Sequence, residues 1–324
     1  MKAILCTHFG TPDDLEMRDI APPQAAAGEA VVRVKAAALN FFDTLIIAGK
    51  YQQKPPFPFS PVAECAGIVE STGSGVTEVA PGDRVMTFMG WGAAREAVAV
   101  PARQLVKLPE QLDFDHAAGL NITYGTSLYA LRERAKLQPG ETLAVLGASG
   151  GTGLACVELG KLMGARVIAC ASSDEKLAFA RAHGADETVN YDREDLRDVL
   201  RERGGDHGID VVYDPVGGRY AEPAVRSLAW QGRYLVVGFT AGEIPKLPLN
   251  LVLLKSCDIR GVFWGSWTKR EPQAQHALLG DVARWAAEGK LSAHVHAVYP
   301  LAEIAAAMKL ISDRKVMGKL VLRP

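Results

Sequence analysis

The chain has 324 residues, enough for about two domains. Hydrophobic residues make up 48% and charged residues 23%, so a packed soluble core is expected. The net charge of -1 gives no global attraction for nucleic acid or an anionic membrane, and neither is expected as a partner.

The stretch 3–6 is too short for an apolar signal core and reads as a first strand. No apolar run reaches membrane-spanning length. Cys6, Cys65, Cys156, Cys170 and Cys257 are odd in number, widely spaced and set among apolar residues. They read as reduced core thiols of a cytoplasmic protein. Residues 1–118 read mostly as short strands broken by turn residues. Strands are predicted over 30–35, 65–70 and 96–100, with Pro101 stopping the last, and the turn 81–85 enters another. Many short strands with frequent Gly and Pro suggest a small barrel-like domain.

From Asp115 the pattern changes. Residues 117–131 are helical and apolar, and β/α alternation runs to about residue 261. Strands are predicted over 143–146, 166–170, 188–190, 209–213, 234–237 and 258–262, with helical segments between most of them. That pattern predicts an α/β fold with a parallel, doubly wound sheet. The run 193–203 alternates in charge and reads as a solvated helix. The tail is mixed: a helix over 275–288, a strand over 294–298, a helix over 302–310 and a strand over 319–322. The expected organisation is a nucleotide domain, 119–261, inserted between two parts of a first domain, 1–118 and 262–324.

The strand ending at Leu146 meets Gly147-Ala-Ser-Gly-Gly-Thr-Gly153, and a helix with Ala155, Leu159 and Leu162 on one face follows. Backbone N–H groups at such a turn, together with the helix dipole, favour a phosphate. Ser149, Gly150, Gly151, Thr152 and Gly153 are the candidate contacts. The dinucleotide fingerprint G-x-G-x-x-G here has Ala148 in its first glycine slot. The turn at Pro139-Gly140 and the strand over 166–170 supply the βαβ context that the fingerprint requires.

Gly82-Asp-Arg-Val85, the 147–153 turn, Asn190-Tyr191, Asp214-Pro-Val-Gly-Gly218 and Gly318-Lys-Leu-Val-Leu322 together resemble the medium-chain dehydrogenase/reductase superfamily. Within it the chain is most similar to zeta-crystallin-like NADPH:quinone oxidoreductases, through the segment Asn40-Phe-Phe-Asp43 to Tyr51 and through Thr123-Tyr-Gly-Thr126. The resemblance covers the whole chain. It implies a GroES-like β-barrel catalytic domain holding a Rossmann domain, a cleft between them and usually a homodimer. It also implies cofactor contacts at Thr126, which packs against the nicotinamide, and at Gly238, Phe239, Phe263, Gly265 and Lys319. Each aromatic also reads as ordinary core.

Zinc-dependent members of that superfamily carry a cysteine where this chain has Asn40, and a Gly-His-Glu later. Here residues 61–64 read Pro-Val-Ala-Glu, so Ala63 replaces the histidine and only Glu64 remains. A structural-zinc lobe of four close cysteines is absent as well. Glu64 reads as a carboxylate that pairs within the protein. His294 and His296 share a strand face, but two ligands without a third are usually surface residues. No metal is expected.

An NAD-specific fold places Asp or Glu at the end of the second strand, on the ribose 2′-hydroxyl. Here that position reads Ala171-Ser172-Ser173, and Lys176 follows in the first turn of a helix. A lysine there opposes the helix dipole unless an anion is near, and a 2′-phosphate would be that anion. Ser172-x-x-Glu175 also fits a capping box, and a solvated Lys176 is the alternative. The resemblance places Ser172, Ser173, Lys176 and Tyr191 on the 2′-phosphate, so NADPH is the expected cofactor.

Hydride chemistry comes from the cofactor; the protein orients and stabilises charge. Asn40 can donate through its amide and Tyr51 through its phenol to the oxygen that gains charge, while Asp43 orients a neighbour. Tyr51 could equally anchor a loop beside Pro55 and Pro56. The expected reaction is reduction of a small-molecule quinone or a similar electron-poor acceptor by hydride transfer. An enone or enoyl-thioester reductase of the same fold and a non-catalytic NADPH-binding protein stand as alternatives.

Overall fold

The computed structural model describes all 324 residues, in two compact units. The first unit is Met1–Ile122 with Thr268–Gly289 and Ala293–Pro324; the second is Thr123–Trp267 with Lys290–Ser292. The chain leaves the first unit inside a helix and later returns to it inside another.

The first unit opens with an antiparallel pair, β1 (Lys2–Leu5) and β2 (Glu16–Asp19). Then come β3 (Glu29–Leu39), α1 (Phe41–Ile47), β4 (Glu64–Thr72), β5 (Arg84–Phe88), β6 (Ala97–Pro101), β7 (Val106–Lys107) and α2 (Phe114–Ala118). β3 organises this unit. Its valines are buried, and Arg33 and Lys35 face out. It runs four residues past the predicted end, through Ala36, Ala37, Ala38 and Leu39. Alanines favour helix, but pairing partners on both edges override that preference.

The second unit begins with most of α3 (Leu120–Leu128), which passes into a π-helical turn at Tyr129–Ala135. β8 (Thr142–Leu146), α4 (Gly151–Leu162), β9 (Arg166–Ala171), α5 (Asp174–Ala182), β10 (Glu187–Asn190) and α6 (Leu196–Gly204) follow. The unit ends with β11 (Ile209–Asp214), α7 (Ala221–Arg226), β12 (Leu228–Val236), α8 (Leu249–Lys255), β13 (Asp258–Gly261) and the start of α9 (Trp264–Arg270). Its six strands pair in the order β10-β9-β8-β11-β12-β13, every pair parallel. All five residues of β8 are buried, as expected for a strand covered on both faces. Strand order reverses at β8, so the glycine turn at its carboxyl end lies at the switch point where such sheets bind ligands. This is the Rossmann-type doubly wound sheet.

The chain closes with α10 (Pro272–Ala287), β14 (Val295–Pro300), α11 (Ile304–Ser312) and β15 (Lys319–Arg323). β14 and β15 complete a seven-stranded sheet in the order β14-β15-β3-β4-β5-β7, with β6 also paired to β3.

Three local readings change. α6 starts at Leu196, capped by Asp195, so Arg193 lies in the preceding turn and not on the helix. The cap of α5 is Ser173, whose hydroxyl accepts from Lys176 N; Ser172 stands one residue outside, and the Ser172/Glu175 capping box does not form. The left-handed turn residue after β8 is Gly147, at φ 60°, just before the fingerprint slot that Ala148 fills.

Candidate functional site

Register builds the centre of the first unit. Ala38 pairs with Glu64, and Leu39 pairs with Leu320. Asn40, directly after β3, therefore meets the first residue of β4 and the first residue of β15. Asn40 Nδ2 donates to Glu64 Oε1 at 2.8 Å and to Ala38 O at 3.3 Å. Lys319 Nζ donates to Leu39 O at 2.8 Å, Asn40 Oδ1 at 2.8 Å and Glu64 Oε1 at 2.9 Å. Glu64 Oε2 accepts from Ile122 N at 2.9 Å.

An ammonium has three donors, and here all three meet protein acceptors. Lys319 therefore serves Leu39, Asn40 and Glu64 in this structure. Both Asn40 amide protons point at protein acceptors, so Asn40 helps to arrange the cluster. No three His, Cys, Asp or Glu side chains gather into a group that could hold a metal ion.

Asp43 lies in the first turn of α1, 1% exposed. Its Oδ2 accepts from Asn40 N at 2.7 Å, and its Oδ1 has no partner. Burial pushes its pKa up to about 7; the Asn40 N–H and Lys319 oppose that shift, and the Glu64 charge adds to it. Tyr51 is half-buried and stacks on Phe42 with centroids 5.3 Å apart. Burial raises its phenol pKa, and the Asp43 carboxylate raises it further. The phenol remains a donor at neutral pH.

The second unit carries the phosphate cradle. Gly150 precedes α4, and no side chain caps that helix, so the N–H groups of its first turn, Gly151, Thr152 and Gly153, are left for a ligand. The glycines differ in purpose. A Cβ on Gly153 would lie 2.1 Å from Gly147 O, so that glycine lets the turn close on itself. A Cβ on Gly150 would meet only Gly147 O at 3.5 Å, so the space beside it is open. Ser149 is buried at the turn. The cradle fits a pyrophosphate.

α3 is tied to this turn: Ser127 Oγ donates to Thr152 O at 2.9 Å and pairs with Tyr213 OH at 2.9 Å. Thr126 is the neighbouring residue and is nearly buried. The loop after β11 is shaped by Asp214, which accepts from Val216 N at 2.7 Å, Gly217 N at 2.8 Å and the Tyr234 hydroxyl. Gly238 N donates to Asp214 O at 3.3 Å. The Phe239 ring lies over Gly217, where a Cβ would come within 2.8 Å of it. Phe263 is exposed, and Gly265 is in the first turn of α9.

At the edge of β9, Lys176 Nζ and Ser172 Oγ are 3.3 Å apart. Asp174, in the first turn of α5, is occupied by Asn190 Nδ2 at 2.7 Å and Arg193 Nη1 at 2.5 Å. Those partners hold its pKa below the usual range, the Asn190 hydrogen bond foremost. Tyr191 packs on Tyr220 with centroids 4.3 Å apart. Arg193 and Ser127 were missed by sequence reasoning. Arg193 read as one more solvated helix charge, and nothing in the sequence marks Ser127.

A family model described as "Alcohol dehydrogenase GroES-like domain" matches residues 26–110, and one described as "Zinc-binding dehydrogenase" matches residues 151–279. The chain is 37% identical to "Quinone oxidoreductase-like protein 2" of Mus musculus over 322 residues, 99% of this chain and 91% of that one. Its fold is similar to a Pseudomonas syringae quinone oxidoreductase at a TM-score of 0.93 and 32% identity, covering 100% of this chain and 99% of that one. It is also similar to Escherichia coli quinone oxidoreductase solved with NADPH, at a TM-score of 0.92 and 28% identity, covering 100% of both chains. The chain belongs to the quinone oxidoreductase branch of the medium-chain dehydrogenase/reductase superfamily.

Proposed function

We propose that this chain is a zinc-independent, NADPH-dependent reductase of quinones or similarly electron-poor acceptors. The observation that carries the reading is the Lys319 ammonium, held by Asn40 and Glu64 where zinc-dependent relatives place ligands. Zinc needs about three Cys, His or carboxylate ligands and an open position. An amide, a paired carboxylate and an ammonium do not fit that requirement, whatever the matching family is called. A second cation in this buried place would be repelled by Lys319. Acceptors that are already electron-poor need less Lewis-acid help than an alcohol's carbonyl.

NADPH, when bound, supplies the hydride. The N–H groups of Gly151, Thr152 and Gly153 hold its pyrophosphate, with Ser149 beside them and Gly150 leaving room. Ser172 and Lys176 take the 2′-phosphate, with Ser173 fixing the helix start and Tyr191 flanking it. Thr126, Gly238, Phe239, Phe263 and Gly265 contact the nicotinamide end. The Tyr51 phenol donates to the acceptor oxygen as it gains charge. Asn40 and Asp43 are positioning residues: they order the start of α1. The NADPH complex of the Escherichia coli relative supports the cofactor choice.

The protein works as a homodimer in this reading. β13 pairs only with β12, so it leaves a strand edge open, and Leu249 and Leu253 on α8 are each 78% exposed. Light scattering should give twice the chain mass; a monomer at micromolar concentration contradicts this. All five cysteines are free thiols, which supports a reducing, cytoplasmic setting. No helix is long and apolar enough to cross a membrane.

The test is NADPH consumption with a panel of quinones, enones and enoyl thioesters. Quinones should give the highest kcat/KM. Preference for an enone or thioester transfers the reading to another reductase of this fold. No consumption with any acceptor overturns the enzyme reading.

A further inference from the structure

The second unit holds a cavity of about 300 Å³ lined by Arg197, Arg201, Arg226, Leu251, Leu254 and Lys255, none of them a residue of the glycine turn or of the β9 edge. Four of the six side chains are cationic, and no carboxylate lines the cavity. Arg226 is neutralised by Glu222 at 2.6 Å, and Lys255 Nζ donates to Leu228 O. Arg197 and Arg201 have no ion-pair partner in the chain.

This arrangement opposes itself. Arg197 and Arg201 are four apart on α6, so the like charges share one face. Burial lowers the Lys255 ammonium pKa, and the Arg201 charge lowers it further. Charges of one sign crowded around a concavity raise the local concentration of the opposite sign. The apolar part is equally specific. Leu251, Leu254 and Lys255 are spaced three and four apart, on one face of α8, while Leu249 and Leu253 occupy another. Leu254 is 69% exposed within the chain, at the cavity.

We propose that this cavity binds a small amphiphilic anion, its phosphate headgroup held by Arg197 and Arg201 and its short alkyl chain laid on Leu251 and Leu254. The guanidinium forks suit a phosphate, which takes paired hydrogen bonds in their plane. The leucines reward a tail, so the preferred ligand is neither inorganic phosphate nor a neutral alkane. The proposal does not depend on the activity assigned above.

The test is calorimetric titration of the intact protein with inorganic phosphate, hexyl phosphate and hexanol. Hexyl phosphate should bind about tenfold or more tightly than inorganic phosphate, with no binding of hexanol, because burying two methylenes is worth about that factor. Arg197→Glu/Arg201→Glu should weaken hexyl phosphate by about tenfold or more while NADPH affinity stays within about twofold. Leu254→Asp should weaken hexyl phosphate and leave the circular dichroism melting curve in place. Arg201→Gln serves if the charge reversal does not fold. Equal affinity for inorganic and hexyl phosphate, hexyl phosphate binding that survives the arginine variants, or no binding at all overturns the proposal.

Discussion

Lys319 Nζ lies 2.9 Å from Glu64 Oε1, in a place where the lysine is 5% exposed and the glutamate 0%. A buried pair of this kind owes its worth to being complete. Its two charges offset each other's desolvation, and either one alone would be left uncompensated. The cluster also fixes Asn40, and through Asn40 the start of α1 and Asp43.

Removing one partner should therefore cost far more than removing both. Lys319→Met should destabilise by about 3–5 kcal/mol, the range for a broken buried pair. Lys319→Met/Glu64→Leu should recover most of that loss. Urea denaturation of the three proteins measures it. Additive losses, or a harmless Lys319→Met, would show that the pair does not hold this centre together.

Asp43 gives a pH signature. Its folded pKa, about 7, is above the unfolded value near 4, so the folded state binds the extra proton between those values. The stabilisation from protonated Asp43 is full below about pH 4 and lost as pH rises to about 7, at up to about 1.4 kcal/mol per pH unit. Asp43→Asn stays neutral and keeps an acceptor for Asn40 N. The stability difference, wild type minus variant, should fall steadily from pH 5 to pH 7.5. A flat difference contradicts the placement of this carboxyl.

The glycine turn separates a packing glycine from a ligand glycine. Gly153→Ala should destabilise the fold by about 1–3 kcal/mol, because its Cβ would overlap Gly147 O. Gly150→Val should melt close to wild type yet lose NADPH, because its side chain fills open space at the cradle. Calorimetric melting and cofactor titration distinguish them. Normal NADPH affinity in folded Gly150→Val removes the turn as the phosphate site.

Lys176→Ala should weaken NADPH roughly ten- to a hundredfold and leave NADH nearly unchanged, the worth of one charge-assisted hydrogen bond to the 2′-phosphate. Michaelis constants for both cofactors decide this. Equal weakening of the two would move Lys176 off the 2′-phosphate.

The parts visible in the sequence and those hidden from it differ for physical reasons. The parallel strands of the second unit are continuous apolar runs because both their faces are covered, and such runs survive without structural context. The glycine turn was visible because its backbone needs small residues. The Lys319–Glu64 pair spans 255 residues and exists only through the register of β3 with β4 and β15. The alanine run that sets the register reads locally as helix. Arg193 reaches Asp174 across 19 residues of turn and strand, and its charge alone could not say so.

The same geometry raises the burden on Tyr51. With both Asn40 amide protons held by Glu64 and Ala38, the phenol is the donor proposed for the acceptor oxygen. Tyr51→Phe should lower kcat about a hundredfold, the usual cost of one transition-state donor, with NADPH binding nearly unchanged. Steady-state kinetics with several quinones tests this. An unchanged kcat would return Tyr51 to a loop anchor packed on Phe42.

The most direct test of the central claim is NADPH oxidation by a benzoquinone, using protein stripped with chelator and checked for zinc by elemental analysis. The account predicts full turnover at negligible zinc, with NADPH strongly preferred to NADH. Turnover that vanishes on stripping and returns with one zinc per chain would contradict it.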